Sequence, residues 1–220
     1  MNFVHELFEP KTLKRVSQNG KRLYVTEDGQ YYPSVTTALS YLSRKGIQAW
    51  RNRVGHETAN KIGSQAAAAG TAVHNIAEKY VSNDPTWKDA MPIPLEKFKT
   101  IQPYLDEHVN KIYGIELQMY SDQLKTAGTA DLICEYDGVP TVLDFKTSRR
   151  RKTKDQILNY FMQGTAYSIM VKEHYGLEIE QIVILMAVND DSPLVFSEPV
   201  SSYEKMVRKY FQSYTEGKLT

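Results

Sequence analysis

Asp131, Asp144 and Lys146 stand on either side of a turn dipeptide, Asp137-Gly138, that separates two strand-like runs. Asp-Gly is a strong signal for a two-residue hairpin loop, because both central residues of such a turn need positive φ. That loop pairs Tyr136 with Val139 and, counting outward along both strands, sets Asp131 opposite Asp144. Lys146, two residues further, projects from the same face, whereas Leu132, Cys134, Leu143 and Phe145 point to the other. Opposed carboxylates repel each other, and partial burial adds a desolvation cost. A cation between them is a physical reason to keep the pair. Hard divalent ions such as Mg²⁺ and Mn²⁺ prefer oxygen ligands. Two carboxylates on such an ion, with an ammonium alongside, suit phosphodiester hydrolysis. The metal would lower the pKa of a water and polarise the phosphoryl oxygen, and Lys146 would position that water or offset charge in the transition state. A surface cross-strand cluster in which Lys146 merely neutralises the aspartates is the competing reading. Pro140, close to the turn, bears on the register.

A second constellation lies upstream. His74 and Glu78 are four apart on an expected helix and share a face. Histidine is a common transition-metal ligand, yet alone the pair reads equally as a surface histidine and a solvated charge. Downstream, Gln163 and Tyr167 repeat the four-residue spacing. Thr147, Ser148, Arg149 and Arg150 follow the lysine directly, and Trp50, Arg51 and Arg53 form a basic-aromatic group. Such mixtures meet phosphates and stack bases, or are a core tryptophan beside surface arginines.

Taken in order, Gly70-Thr71-x-x-His74-x-x-x-Glu78, Gly128-x-x-Asp131, Asp144-Phe145-Lys146-Thr147-Ser148 and Gln163-x-x-x-Tyr167 resemble the successive motifs of RecB-type nucleases in the PD-(D/E)XK superfamily. The pattern is similar to the branch comprising mitochondrial genome maintenance exonucleases and phage-encoded exonucleases. It spans roughly residues 70–170. The resemblance implies an α/β fold: a restriction-endonuclease-like core with a central mixed β-sheet flanked by helices. It implies Mg²⁺- or Mn²⁺-dependent cleavage of DNA, with one or two ions, usually from free ends. Asp131, Asp144 and Lys146 would be catalytic. His74, Asp131, Asp144 and the Phe145 carbonyl would hold metal. Thr147, Ser148, Arg149, Arg150, Gln163 and Tyr167 would meet DNA, with Glu78 and Glu116 in support. The acid before the lysine is Asp144, where many members carry Glu, so its carboxylate sits one methylene shorter. A structure- or sequence-specific endonuclease, and a DNA-binding module without catalysis, are the competing functions.

Composition bounds these readings. Over 220 residues, 27 Lys and Arg face 26 Asp and Glu, so any nucleic-acid surface must be local. Arg149-Arg150-Arg151-Lys152 is the clearest basic run. One cysteine, Cys134, excludes a Cys-ligated iron–sulfur cluster and a thiolate zinc site. No apolar run approaches the ~20 residues that span a bilayer. The N-terminus has no signal-peptide character, so a soluble protein of the cytoplasm, the host's if phage-encoded, with no membrane partner, is expected.

The elements that position these groups follow from local signals. Asn19-Gly20 and Asp28-Gly29 indicate a small β-meander over residues 12–32. Helices are expected over 35–42 with Ser34 as cap, over 47–54, from about 59 to 80 through an alanine run, over 95–112, over 156–175 and over 201–214 with Ser202 as cap. Strands are expected over 115–120, 128–136, 141–145 and 179–188. Residues 1–60 would form a meander-and-helix cover over the site, and 61–220 the nuclease core.

Overall fold

The computed structural model describes residues 2–18, 21–189 and 191–218. Fourteen main elements, nine strands and five helices, run in blocks of four strands, three helices, three strands, one helix, two strands and one helix among these residues. The first strands are β1 (Val4–His5), β2 (Lys14–Gln18), β3 (Lys21–Val25) and β4 (Tyr31–Pro33). Helices α1 (Val35–Val54), α2 (His56–Val81) and α3 (Pro92–His108) follow, then β5 (Val109–Ser121), β6 (Thr126–Tyr136) and β7 (Val139–Ser148). The chain ends with α4 (Leu158–Tyr175), β8 (Gln181–Val188), β9 (Leu194–Pro199) and α5 (Glu204–Thr215).

The central sheet runs β1-β5-β6-β7-β8-β9 and is mixed: β1 is parallel to β5 and β7 to β8, while the other neighbours are antiparallel. Parallel pairing of β7 and β8 requires a crossover, and α4 supplies it. Side chains alternate across the sheet and divide the interior in two. Leu132, Cys134, Leu143, Phe145 and Val183 join residues of α2 and α3 on one face. Ala130, Ile133, Val142, Ile182 and Ile184 join α4, α5 and the start of α1 on the other. Helix α4 is buried from Phe161 to Val171 and lies so close to β8 that a Cβ on Gly164 would meet Ile182 at 2.5 Å. The meander β2-β3-β4 forms its own small sheet, and its Tyr24 and Tyr32 pack on Ala127 and Tyr120. Among the described residues no helix is long and apolar enough to cross a membrane.

Several boundaries differ from expectation, each for a tertiary reason. Helices expected over 35–42 and 47–54 are one helix through Gly46, a glycine cost of ~1 kcal/mol that does not break the run. Ser34 caps it, accepting from the Thr37 amide at 3.0 Å. The helix expected to reach 112 stops at His108, because Val109–Ser121 is recruited as a long strand between β1 and β6. Ser202 is not a cap: it lies in a short 3-10 turn, and α5 begins at Glu204 without a side-chain cap. Strands β1 and β9, not expected from sequence, lie at the two edges of the sheet, and β9 alternates half-buried and exposed residues. The expected Asn19-Gly20 turn lies outside the described residues. Residue 60, the expected cover–core boundary, falls within α2.

Candidate active site

The Asp137-Gly138 turn forms as its sequence requires, with φ of 54° and 77°, and pairs Tyr136 with Val139 through to Leu132 with Leu143. The next positions in that register are Asp131 and Asp144. There the ladder gives way to a side chain, since the Phe145 amide donates to Asp131 Oδ2 at 2.8 Å. On the other side of β6, Ile115 pairs with Leu132 and Leu117 with Ala130, which sets Glu116 opposite Asp131. Three neighbouring strands therefore bring Glu116, Asp131 and Asp144 into one row. Register shifts between Val109 and Gly114 precede this stretch, and Glu116 itself adopts φ 45°. A left-handed glutamate inside a strand costs of order 1 kcal/mol or more, and such outliers concentrate at functional sites.

Helices complete the site. His74, on α2, brings Nδ1 to 3.4 Å from Asp131 Oδ2 and sets its ring edge-on to Phe145. His74, Glu116 and Asp131 offer ligand atoms within 4.8 Å of one another. Asp144 is 1% exposed. Its Oδ1 accepts from Gln163 Nε2 at 2.9 Å. Its Oδ2 is paired with the Lys146 ammonium. Lys146 lies 5.0 Å from the centroid of the Tyr160 ring. Tyr167, one turn beyond Gln163, fits only because residue 128 is glycine: a Cβ there would lie 2.8 Å from the ring.

The electrostatics follow from this crowding. Glu116 is exposed to the site's cavity, yet partial desolvation, with Asp131 and Glu78 nearby, pushes it up to about 7. Burial also raises Asp144 to about 6, although the Lys146 ammonium pulls the other way. Burial opposes ionisation of Asp131 too, but the His74 hydrogen bond and Lys146 outweigh it and hold its pKa low. Desolvation works against charge on His74, and Asp131 overcomes it and raises the pKa. For Lys146 the same contest is won by Asp144 and Asp131, so the ammonium is retained. Tyr167 is raised well above a normal phenol by burial and is a neutral donor or packing group.

His74, Glu116, Asp131, Lys146, Gln163 and Tyr167, but not the buried Asp144, line a cavity of about 680 Å³ that Arg15 and Tyr24 of the meander and Ser40 and Ser43 of α1 also line. Beyond its mouth, α1 and α2 meet at Gly55, and residues 42–49 and 63–69 are exposed. Over residues 42–70 the chain carries Arg44, Lys45, Arg51, Arg53 and Lys61 against Glu57 alone, so the basic surface that near-neutral composition conceals is gathered on this helical arm. Trp50 there is half-buried and belongs to none of the buried clusters, while Arg51 donates to Asn60.

Of the groups singled out from sequence, His74, Asp131, Asp144, Lys146, Gln163 and Tyr167 converge. Thr147 lies near Gly70 of α2. Ser148 accepts from the Arg150 amide. Arg149 reaches Gln65 at 3.4 Å, and Arg150 is exposed. Arg151 and Lys154 are instead tied to Asp191 and Glu198. Glu78 is exposed on the helix that carries His74 and acts on the site through its charge on Glu116. Cys134 is buried in the core. Sequence reasoning underrated Glu116, and Gly114 just before it was the available signal, since a Cβ there would strike Leu117 at 2.8 Å. It missed Tyr160.

No protein-family model matches the chain. The chain is similar to mitochondrial genome maintenance exonuclease 1 of Mus musculus, 25% identical over 178 residues, covering 76% of this chain and 51% of that protein. The Homo sapiens protein of the same name is 25% identical over 205 residues, covering 84% of this chain and 59% of the relative. The chain thus spans little more than half the length of these relatives. A crystal structure from Eubacterium rectale, whose exonuclease designation is provisional, aligns with a TM-score of 0.43 at 12% identity over 68% of each chain. The motif resemblance to RecB-type PD-(D/E)XK nucleases is thus accompanied by distant sequence similarity to exonucleases over 76% or more of this chain.

Proposed function

We propose that this protein is a divalent-metal-dependent DNA exonuclease of the PD-(D/E)XK type, acting on DNA ends in processing, recombination or breakdown. The observation that carries the reading is the row Glu116–Asp131–Asp144 across three strands, with His74 against Asp131 and Lys146 against Asp144 at the wall of a cavity that Glu116, Asp131, His74 and Lys146 line. Distant similarity to exonucleases supports it.

The donor set fits a divalent cation. Three carboxylates crowd together, two of them pushed towards protonation, and the Lys146 ammonium is the one partner of buried Asp144 Oδ2 among the described residues. His74, Glu116, Asp131, Asp144 and the Phe145 carbonyl are the residues that would hold one or two ions. Carboxylates suit Mg²⁺ and Mn²⁺ alike, and an imidazole among them favours the softer Mn²⁺. When bound, such an ion acts as a Lewis acid on the phosphoryl oxygen and lowers the pKa of water.

The chain's own residues supply the remainder. Lys146, kept charged by Asp144, offsets negative charge on the reacting phosphate and orients the attacking water. Gln163 holds Asp144 Oδ1, fixing the rotamer of a carboxylate one methylene shorter than the usual glutamate. Tyr167 packs behind Gln163 at Gly128. Thr147, Ser148, Arg149 and Arg150 lie at the end of β7, where flanking phosphates would pass. The arm of α1 and α2 supplies sequence-independent attraction for the backbone, which salt weakens. Residues 1–60 supply much of the roof through Arg15, Tyr24 and α1, an arrangement that favours a free end over a continuous duplex.

The test is a time course on end-labelled linear and covalently closed DNA with Mg²⁺, Mn²⁺ or EDTA. Linear substrate should disappear only with metal, and closed circles should persist. Asp131→Ala, Asp144→Ala and Lys146→Ala should each slow the reaction about 100-fold or more, and His74→Ala should be impaired. Wild-type activity in Asp144→Ala overturns the site. Cleavage of circles at the linear rate moves the reading to an endonuclease, and binding without cleavage moves it to a DNA-binding module.

A further inference from the structure

On the opposite side of β4 from the active-site cavity lies a second groove of about 580 Å³. Its walls are aromatic: Tyr31 and Tyr32 from β4, Tyr41 from α1 and Tyr214 from α5. Tyr31 is 58% exposed, and Tyr41 meets Tyr214 edge-on at 5.6 Å. Two cations flank these rings. Lys125 sits 5.8 Å from the Tyr32 centroid, and Arg44 sits 5.7 Å from that of Tyr41. Neither has a carboxylate partner among the described residues, whereas the Tyr32 hydroxyl occupies Asp122.

The groove adjoins the active site across a thin wall. Pro33 lines the groove, and Ser34, the next residue, lines the active-site cavity. Both also share α1, through Tyr41 on one side and Ser40 on the other.

We propose that this tyrosine groove is an accessory binding site for unpaired nucleobases, gripping single-stranded nucleic acid away from the reacting phosphate. The inference rests on the nuclease reading only in supplying the strand. The recognition itself stands on the groove's chemistry. Aromatic faces with cations beside them bind unpaired bases without regard to sequence, because every base presents a π-face and a phosphate. A duplex keeps its bases stacked on one another and offers no such face. The exposed Tyr31 ring is the stacking platform, and Lys125 and Arg44 neutralise adjoining phosphates.

The test uses the full chain in EDTA, so that nothing is cut, with fluorescent oligothymidylates of about 4 and about 16 nucleotides, the range one such surface covers. Anisotropy titrations compare wild type with Tyr31→Ala, Tyr31→Trp and Lys125→Glu, each checked by thermal melting. Tyr31 is exposed, so its replacement leaves the fold intact. Stacking is worth ~1–3 kcal/mol per base, so Tyr31→Ala should weaken the long oligomer about 5-fold or more. Tyr31→Trp should restore wild-type binding, and Lys125→Glu should weaken the long oligomer with a reduced salt dependence. Unchanged long-oligomer binding in Tyr31→Ala overturns the proposal and leaves the groove to a protein partner. A loss in Tyr31→Ala that Tyr31→Trp does not recover also overturns it. Wild-type protein that binds in this assay yet never cuts with Mn²⁺ refutes the nuclease reading without touching the groove.

Discussion

Replacing Gly128 with alanine tests whether the carboxylate row is held by packing from behind. The added Cβ would lie 2.8 Å from Tyr167 Cε1 and 3.0 Å from its hydroxyl oxygen. Ordinary contact begins near 3.4 Å, so the ring must retreat by roughly 0.6 Å in an interior packed like a crystal. Gly128 cannot yield, because it is paired with Met119 within the sheet. Tyr167 has little room either, being 3% exposed among α4 neighbours. Overpacking of this kind costs ~1–3 kcal/mol, which for a chain of this size lowers Tm by roughly 2–12 °C. Any shift of Tyr167 passes to Gln163 one turn away and so to Asp144, and nuclease activity should fall further than stability explains. The assay is a double-mutant cycle with Tyr167→Ala, read by urea denaturation. Alanine at 167 removes the clashing ring, so adding Gly128→Ala to it should cost less than adding it to wild type by at least ~1 kcal/mol. Strict additivity, or a Gly128→Ala protein as stable as wild type, refutes the reasoning.

Three further outcomes follow from the same geometry. Lys146→Met leaves Asp144 buried without its ammonium, and an acid whose folded pKa exceeds its unfolded value loses stability as pH rises through the folded pKa. The metal-free variant should therefore weaken relative to wild type from about pH 6 upward, by on the order of 3 kcal/mol at its largest, and Asp144→Asn should abolish that pH dependence in urea melts. Glu116 at about 7 and Asp144 at about 6 must both lose protons to hold a cation, so calorimetry should show Mn²⁺ binding that tightens between about pH 6 and pH 8 with proton release, the release diminished in Glu116→Gln. Gly138→Val forces a β-branched side chain into φ 77° and should cost ~1–2 kcal/mol in thermal melts, with activity at saturating substrate unchanged.

Local chemistry made half of this site legible without coordinates. A two-residue Asp-Gly turn has few conformations, and it fixes the strand register for as far as the hairpin extends; Asp131 meeting Asp144 is a consequence of that turn. Strand alternation then places Lys146 with them and sends Leu132, Cys134, Leu143 and Phe145 to the core. The Ser34 cap, the alanine-rich α2 and the buried character of β8 are of the same kind, since each depends on residues only a few positions apart. Tertiary structure decided what spans longer distances. Glu116 joins the row because register shifts in β5 and its own left-handed φ aim it there, and no short-range pattern encodes a shift. His74 reaches Asp131 because α2 packs on the sheet; its spacing to Glu78 indicated only a shared helix face. Tyr160 approaches Lys146 and Tyr167 occupies the space at Gly128 through the placement of α4. Strands β1 and β9 take their places as the edges of the sheet, beside β5 and β8. The charge balance of 27 against 26 hid a basic stretch over residues 42–70 that the sequence carries contiguously and that α1 and α2 display on their exposed surfaces. The sequence by itself determined the hairpin and the juxtaposition of Asp131, Asp144 and Lys146 on one face, because turns and alternation are short-range. Only the packing of helices on the sheet turned them into an enclosed site, because burial and close approach are properties of segments far apart in the chain.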